Sequence, residues 1–564
     1  MATVLMPLSA TARIFRYFHR HAALMAYAFV IVATIRIVAT YTVFNPTADE
    51  PDHLACGMQL LTGHGYKYEP QHPPLTRIFI AAGPLLAGAE SYGLRDRYDE
   101  GTVIYYYTGH YILYTFLARA GILPFFWFGC WVTFQWGCRL LGRAGAAAAV
   151  LIFTMIPTLL AHAGLATTDM GITACFAAAL YAALRWIEEP NARTGAWMGF
   201  SLALAILSKL SALVFYPAAL GLVLTSGLLL RLPGLSGPGL AIRQRLRSLG
   251  TAIAVAFFVI WAGYFFSIGK VPGVPFSLPF PELYAGVKAV ADHNAEGHLS
   301  YLLGEVRTTG WWYFFPFLLL VKLPIGLHLL VAAGLVSIFF SLKRKPGRPG
   351  ISPISYAQTS DTQANNRWPL WIAGAISASI LAVAIPTRIN LGIRHVMPMF
   401  PFLAIIAAAG LMALLKMRRD VAWPRWAAAA TIGYLCISSL AAHPDYISYF
   451  NEFVGRNPER LVVDSELDWG QDVKRLAERL RELHATHVAY RAAYRSEPAA
   501  MGFPPTTPGT YDRPEPGWNA VSVSAWKLYR MGLYQSKPGV PTWPDFWTPQ
   551  ERVGKTFLLF YVPE

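Results

Sequence analysis

The sequence predicts a mostly α-helical membrane protein of about eleven transmembrane helices, followed by a C-terminal soluble α/β domain, and three observations carry that expectation. Of the 564 residues, 55% are hydrophobic and only 14% charged, outside the usual balance of water-soluble domains. Stretches approaching the roughly 20 apolar residues that a transmembrane helix needs lie at 22–44, 122–141, 144–164, 168–187, 196–210, 211–231, 249–268, 312–340, 369–386, 394–415 and 424–442. After His443-Pro444-Asp445 the chain turns polar, which divides it into a membrane part, 1–442, and a water-facing part, 443–564.

The orientation of these elements follows from their charge. Cytoplasmic loops collect Lys and Arg. Here the basic clusters are Arg13, Arg16 and Arg20; Arg139 and Arg143; Arg243, Arg245 and Arg247; Lys343, Arg344, Lys345 and Arg348; and Lys416, Arg418 and Arg419. Their alternation with the apolar stretches predicts a multi-pass protein of the cell inner (plasma) membrane, with a cytoplasmic N-terminus and an extracytoplasmic C-terminal domain. The basic start and first apolar run resemble a signal peptide, but a run of about 20 residues without a small-residue cleavage site reads as an uncleaved anchor. The net charge of +15 is then a topology signal. Basic clusters this short, scattered between spans, argue against a nucleic-acid partner. The five cysteines show no metal or disulfide spacing.

Outside the spans, the first outer loop, 45–121, contains the apolar piece Leu75 to Leu86, too short to cross and entered through Pro73 and Pro74. It reads as an interfacial or re-entrant helix. A second outer segment, 269–311, is rich in Pro and aromatic residues, and the Pro/Gly/Ser-rich stretches 232–239 and 346–362 read as cytoplasmic linkers. In the tail, Asp468-Trp469-Gly470-Gln471 has capping-box spacing, and Val473, Leu476, Ala477 and Leu480 follow at helical period. The runs 520–524 and 557–562 read as strands.

Residues able to do chemistry gather on the outer side. In Asp49-Glu50-Pro51-Asp52-His53, four ionisable groups fall within five residues just after the first span. Paired carboxylates suit general-base work, since one stays ionised while its neighbours orient it or hold a cation; the other reading is a solvated loop whose acids cap a helix. Tyr68-Glu69-Pro70-Gln71-His72 leads into the interfacial helix. Asp169, after Thr167-Thr168, stands at a helix start, either as a cap favoured by the helix dipole or as the wall of a site. Arg36, Lys209 and Lys322 lie in apolar runs, where an ionisable group costs roughly 2.5–3.5 kcal/mol on insertion scales and so marks a site or a buried pair. Lys209 has the further option of reaching the interface from a helix turn. Arg388, Arg394 and His395 make an outer turn basic against the positive-inside bias, which an anion such as a lipid phosphate explains.

In their order and side of the membrane, Ala48-Asp49-Glu50, His72-Pro73-Pro74-Leu75, Ala166-Thr167-Thr168-Asp169, Lys209 and Gly392-Ile393-Arg394-His395 resemble the motifs of the GT-C glycosyltransferase superfamily. Within it the likeness is to the protein O-mannosyltransferase and lipid A aminoarabinose transferase group. The resemblance spans nearly the whole membrane part, and Leu467-Asp468-Trp469-Gly470-Gln471-Asp472 looks like the tail of uncharacterised bacterial members. It implies a GT-C-like fold and an inverting transferase that moves a sugar from a polyprenyl-phosphate carrier to a lipid, glycan or protein acceptor at the extracytoplasmic face. Asp49 takes the place of the catalytic first-loop carboxylate, Glu50 is the second residue of that motif, and Asp169 is the next candidate acid. The donor phosphate falls to His72, Lys209, Arg394 and His395. His72 stands where aminoarabinose transferases have Lys before the Pro-Pro, which moves the weight of that contact toward Arg394 or Lys209.

The residues fit this chemistry without the family name. A membrane-anchored donor needs no nucleotide pocket, and the sequence has no P-loop or dinucleotide fingerprint. No cofactor is demanded by ligand spacing, while a divalent metal near Glu50 or Glu69 is an open option. Two other classes compete. A transporter or flippase of a lipid-linked sugar predicts midplane charges and broken helices, and a noncatalytic membrane scaffold would use the tail as its binding module.

Overall fold

In a computed structural model of the chain, the described residues are 10–63, 65–229, 242–342, 368–417, 421–530 and 540–563. The two expected linkers, the cluster Lys343, Arg344, Lys345 and Arg348, and the pair Arg418 and Arg419 lie outside them, as do the side chains of Arg13, Arg16 and Arg243.

Every one of the apolar stretches contains helix, because in lipid the backbone must satisfy its own hydrogen bonds. Six helices among the described residues are long and apolar enough to cross a membrane: Arg20–Val38, Tyr111–Leu141, Asp169–Glu188, Ala212–Leu229, Arg245–Gly263 and Ile393–Lys416. Two pairs pass only together and are sharply bent, Arg143–Thr154 with Pro157–Ala163 by 73° and Phe314–Lys322 with Ile325–Phe340 by 114°. Proline explains both breaks, since it donates no helix hydrogen bond and pushes the preceding residue into an extended conformation. Ile156 (φ −84°, ψ 112°) and Leu323 (φ −100°, ψ 144°) are extended in this way. The helices at 196–210 and 369–386 are short, Ala192–Ser208 with 17 residues and Trp371–Ala384 with 14. The chain is thus a mostly helical, multi-pass membrane protein for which length and composition support six to eight spans.

Two cations flagged as intramembrane charges hold the protein to itself. Arg36 donates to the Ser439 carbonyl at 2.6 Å, the Ser439 hydroxyl at 3.0 Å and the Tyr446 hydroxyl at 3.1 Å, joining the first helix to helix Trp423–Ala441 and the segment after it. Lys322 donates to the carbonyls of Ile447 and Glu466, each at 2.6 Å. Asn451 donates to the carbonyls of Leu320 (2.6 Å) and Leu323 (2.8 Å), which the break at Pro324 leaves without helical partners.

The segment expected as the first outer loop, 45–121, folds into short helices, with Glu50–Leu61 packed on Pro74–Leu86. They meet at Gly57, where an added Cβ would stand 2.2 Å from the Arg77 carbonyl oxygen. Gly57→Ala is therefore expected to destabilise the protein by about 1–3 kcal/mol, read as a lower melting temperature in detergent. The segment 269–311 folds as two hairpins, Ile268–Lys270 with Ser277–Pro279 and Ser300–Leu302 with Glu305–Arg307, around the helix Pro281–Glu296.

The tail carries a five-stranded mixed sheet in the order Thr506–Pro508, Val488–Arg491, Gly517–Ser522, Phe557–Val562, Glu551–Val553. The first three strands run parallel and the last two pairings are antiparallel. Helix Val473–Glu482 buries Val473, Leu476, Ala477 and Leu480, as its period predicts. Two local expectations change. Asp468 makes no capping box, because its carboxylate accepts from the Ser522 hydroxyl (2.5 Å) and the Gly470 amide (3.1 Å). The strand expected at 520–524 ends at Ser522, whose hydroxyl caps the next helix, Val523–Leu528. Packing also runs across residue 443: Tyr446 and Val462 belong to the core of the membrane part, and the separate core of the tail begins at Leu467.

Candidate active site

Asp49 immediately precedes helix Glu50–Leu61 and makes no side-chain cap bond to it, so its carboxylate is available to other partners. It meets Arg394, whose Nη1 lies 3.0 Å from Asp49 Oδ2. The Asp49 side chain is 39% exposed and that of Arg394 10%. Arg394 sits on the turn Ile393–Met399, entered through Gly392 at φ +127°, where a left-handed backbone favours glycine. Its guanidinium carbon lies 4.1 Å from the ring centre of Trp469, and its buried Nε has no hydrogen-bond partner among the described residues.

Glu50 turns the other way. Fully buried, it accepts from Arg119 Nε and Nη2, each at 2.9 Å, from the Thr47 amide at 2.7 Å and from the Ala166 amide at 2.9 Å. Burial pushes this carboxyl up, but Arg119 and the amide donors outweigh it and hold Glu50 below the usual glutamate range. Arg119 also donates to the carbonyls of Tyr41, Phe44 and Asn45, tying off the end of the first span. Glu50, expected beside Asp49 in the chemistry, is enclosed by these partners.

Asp169 opens helix Asp169–Glu188. Its cap residue Thr168 makes no side-chain cap bond, and the Asp169 carboxylate pairs with Lys209 Nζ at 2.7 Å. Lys209 stands in extended conformation (φ −163°, ψ 137°) just past helix Ala192–Ser208. His162 Nδ1 is 3.5 Å from Asp169 Oδ2. Half-buried His395 feels the charges of Lys209, Arg394, Asp169 and His72, and Arg394 feels Asp169 and Asp464 besides Asp49. Asp49, Asp169, Lys209, Arg394 and His395 therefore share one charged region.

His72 belongs to a neighbouring network built on Arg77. Its Nδ1 is 2.8 Å from Glu69 Oε2, and its ring packs edge-on to His53, with centroids 5.1 Å apart. Fully buried Arg77 donates to Glu69 Oε2 (2.5 Å), to the carbonyls of Glu69 (2.8 Å) and His72 (2.9 Å), and to Tyr66 and His53. Burial raises the Glu69 carboxyl, but Arg77 and His72 prevail and hold it well below the ordinary range. A metal does not fit at Glu50 or Glu69, because guanidinium, imidazole or amide donors already occupy their oxygens. Among the described residues no group of three or more His, Cys, Asp or Glu converges on a metal position.

An apolar cavity of about 590 Å³ follows helix Asp169–Glu188 from Cys175 to Arg185. Leu75, Phe79, Trp131 and Leu204 line its other walls. Leu75 follows directly on His72-Pro73-Pro74, so the cavity adjoins the segment that carries His72.

Sequence reasoning missed three residues of this region. Arg77 stands in the apolar piece Leu75 to Leu86 and carried the same signal as Arg36 and Lys209, an ionisable group in an apolar run. Arg119 lies two residues before the Gly121 bend that leads into helix Leu123–Leu141, and it carried the same signal, standing between the apolar residues Phe116, Leu117 and Ala118 and Ala120, Ile122 and Leu123. Trp469 was visible only as part of a motif.

Residues 127–261 match the model of a family described as dolichyl-phosphate-mannose-protein mannosyltransferase. Among solved structures, ArnT from Cupriavidus metallidurans bound to undecaprenyl phosphate is similar over 95% of this chain and 99% of its own, at 12% identity and a TM-score of 0.47. Its apo state gives the same figures. The archaeal oligosaccharyltransferase AglB from Archaeoglobus fulgidus, in complex with an inhibitory peptide and a dolichol-phosphate, is similar over 74% of this chain and 55% of its own, at 12% identity and a TM-score of 0.42. No curated protein sequence matches the chain.

Proposed function

We propose that the protein is an inverting glycosyltransferase that moves a sugar from a polyprenyl-phosphate carrier to a lipid, glycan or protein acceptor at the extracytoplasmic face of the inner (plasma) membrane. One observation carries the proposal: a partly exposed carboxylate, Asp49, shares a site with a buried guanidinium, Arg394, whose Nε lacks a partner among the described residues. The match of residues 127–261 to a mannosyltransferase family supports it.

In this proposal Asp49 takes the proton of the acceptor hydroxyl or amine as that atom attacks the anomeric carbon. The bond from carbon to phosphate oxygen breaks, and its electron pair stays on the departing lipid phosphate. Arg394, Lys209 and His395 receive that charge, with His72 nearby. Arg394 is bound to Asp49 in the structure described, so an arriving phosphate competes for the same guanidinium and releases the carboxylate as it binds. Glu50 positions Asp49 through Arg119, and Asp169 positions Lys209. The apolar cavity suits the carrier's isoprenoid tail. The membrane part, 1–442, presents its first outer loop, 45–121, to the outside, and the domain 443–564 lies over the same face.

Arg394→Gln is expected to weaken binding of polyprenyl phosphate by about 10- to 100-fold, the scale of a hydrogen bond to a charged group, and to leave acceptor affinity unchanged. Equal loss for both would mark a structural ion pair. The proposal as a whole is tested by mass spectrometry of cell-envelope glycans, lipids and secreted proteins with and without the gene. A difference of one sugar supports transfer, and identical profiles oppose it. The bent pairs at Pro157 and Pro324 favour a second reading, a transporter of a lipid-linked sugar, since broken helices are a transporter device.

A further inference from the structure

We infer that residues 467–472 are the strap by which the C-terminal domain sets the donor site, with Trp469 as the positioning residue for Arg394. The inference rests on the proposed role of Arg394 at the donor phosphate.

Four residues of the strap are committed on a definite side. On the sheet side, Asp468 accepts from the Ser522 hydroxyl, and Asp472 accepts from the Lys555 amide (2.9 Å) and the Thr556 hydroxyl (3.0 Å). On the membrane side, the Trp469 carbonyl accepts from the Ala48 amide at 3.1 Å, and the Gly470 carbonyl accepts from Asn45 Nδ2 at 2.7 Å. The strap is braced internally by Gln471, whose Oε1 accepts from the Trp469 amide (2.7 Å) and whose Nε2 donates to the Leu467 carbonyl (2.9 Å). Burial pushes the Asp468 carboxyl up to about 6, in keeping with its place inside the tail core.

Trp469 meets Arg394 directly and holds the residue that precedes Asp49. Its backbone holds Ala48, next to the base, and its buried indole lies under the guanidinium at 4.1 Å. A desolvated guanidinium over an indole is attracted by the ring quadrupole, and here that face fixes a side chain whose one direct ion pair among the described residues is with Asp49. The same tail grips the Arg394 turn from another side, where Ile393 donates its amide to Glu466 Oε1 at 2.7 Å and the Ser465 hydroxyl donates to the Leu391 carbonyl at 2.7 Å. The tail thus supplies the platform on which the Arg394 guanidinium and Asp49 are held in register.

The test measures binding of undecaprenyl phosphate to the full-length protein in detergent for Trp469→Leu, Trp469→Phe, Arg394→Gln and the double variant Trp469→Leu/Arg394→Gln. Trp469→Leu is expected to weaken binding by about 5- to 30-fold. Trp469→Phe, which keeps an aromatic face, is expected to restore most of it. In the Arg394→Gln background the leucine change is expected to add little, because its effect runs through the guanidinium. If Trp469→Leu does not fold, Trp469→Met takes its place. Unchanged binding in Trp469→Leu, or a leucine effect that adds fully to Arg394→Gln, overturns the inference while leaving the role of Arg394 intact. Unchanged binding in Arg394→Gln overturns the phosphate role itself and this inference with it.

Discussion

Asp49→Asn is expected to lower turnover by about 10²–10⁴-fold, the usual contribution of a positioned proton acceptor. Binding of the lipid phosphate should persist or tighten, because the substitution removes the anion that now competes for Arg394 at 3.0 Å. That combination, slower chemistry with undiminished donor affinity, separates a base from a structural residue. The neighbouring acid is the control: Asp52 pairs with Arg97 at 2.6 Å, away from Arg394, so Asp52→Asn should be mild. Single-turnover transfer by purified, folded variants at saturating donor and acceptor reads the difference. Near-normal turnover of Asp49→Asn would pass the role to Asp169.

Glu50→Gln should act through stability. The Glu50–Arg119 pair is closed to solvent on both sides, with side chains 0% and 1% exposed. Removing one charge leaves the other buried and uncompensated, at a cost of roughly 3–5 kcal/mol. A large drop in melting temperature is expected for Glu50→Gln and for Arg119→Gln alike, with activity lost because the Asp49 loop loses its anchor to Ala166 and the first span. The exposed pair Lys288–Asp292, at 70% and 54% exposure, gives the contrast, since Lys288→Ala should leave the melting temperature unchanged. Equal, small shifts in all three variants would mean that Glu50 is not the clamp described.

Apolar length made the helices legible in the sequence, and the alternation of basic clusters supplied an orientation. Helix breaks were less legible. Pro157 and Pro324 are visible as residues, but whether a proline kinks, breaks or begins a helix depends on tertiary contacts such as Asn451 on the carbonyls of Leu320 and Leu323. In the charged region, the short-range motifs were legible as motifs, while their pairings were not. Asp49 and Arg394 are 345 positions apart, and nothing local joins them. Glu50 and Asp49 are adjacent and look alike in sequence, yet opposite faces of one helix start send one to Arg119 and the other to the open side. The polar tail read as a separate domain because its composition changes at His443, but composition does not report that Ala48 and Asn45 hydrogen-bond to Trp469 and Gly470.

Reconstitution separates cleavage of a lipid-phosphate sugar bond from carriage of the intact lipid across the bilayer. Full-length protein in liposomes would be given a pool of polyprenyl-phosphate sugars on the extracytoplasmic side together with a cell-envelope acceptor extract, and the lipids would be followed by mass spectrometry. For a transferase, free polyprenyl phosphate is expected to accumulate, an acceptor to gain one sugar, and Asp49→Asn to abolish both on the same time scale. Intact lipid-linked sugar moving between leaflets, with no polyprenyl phosphate released and no effect of Asp49→Asn, would contradict transfer.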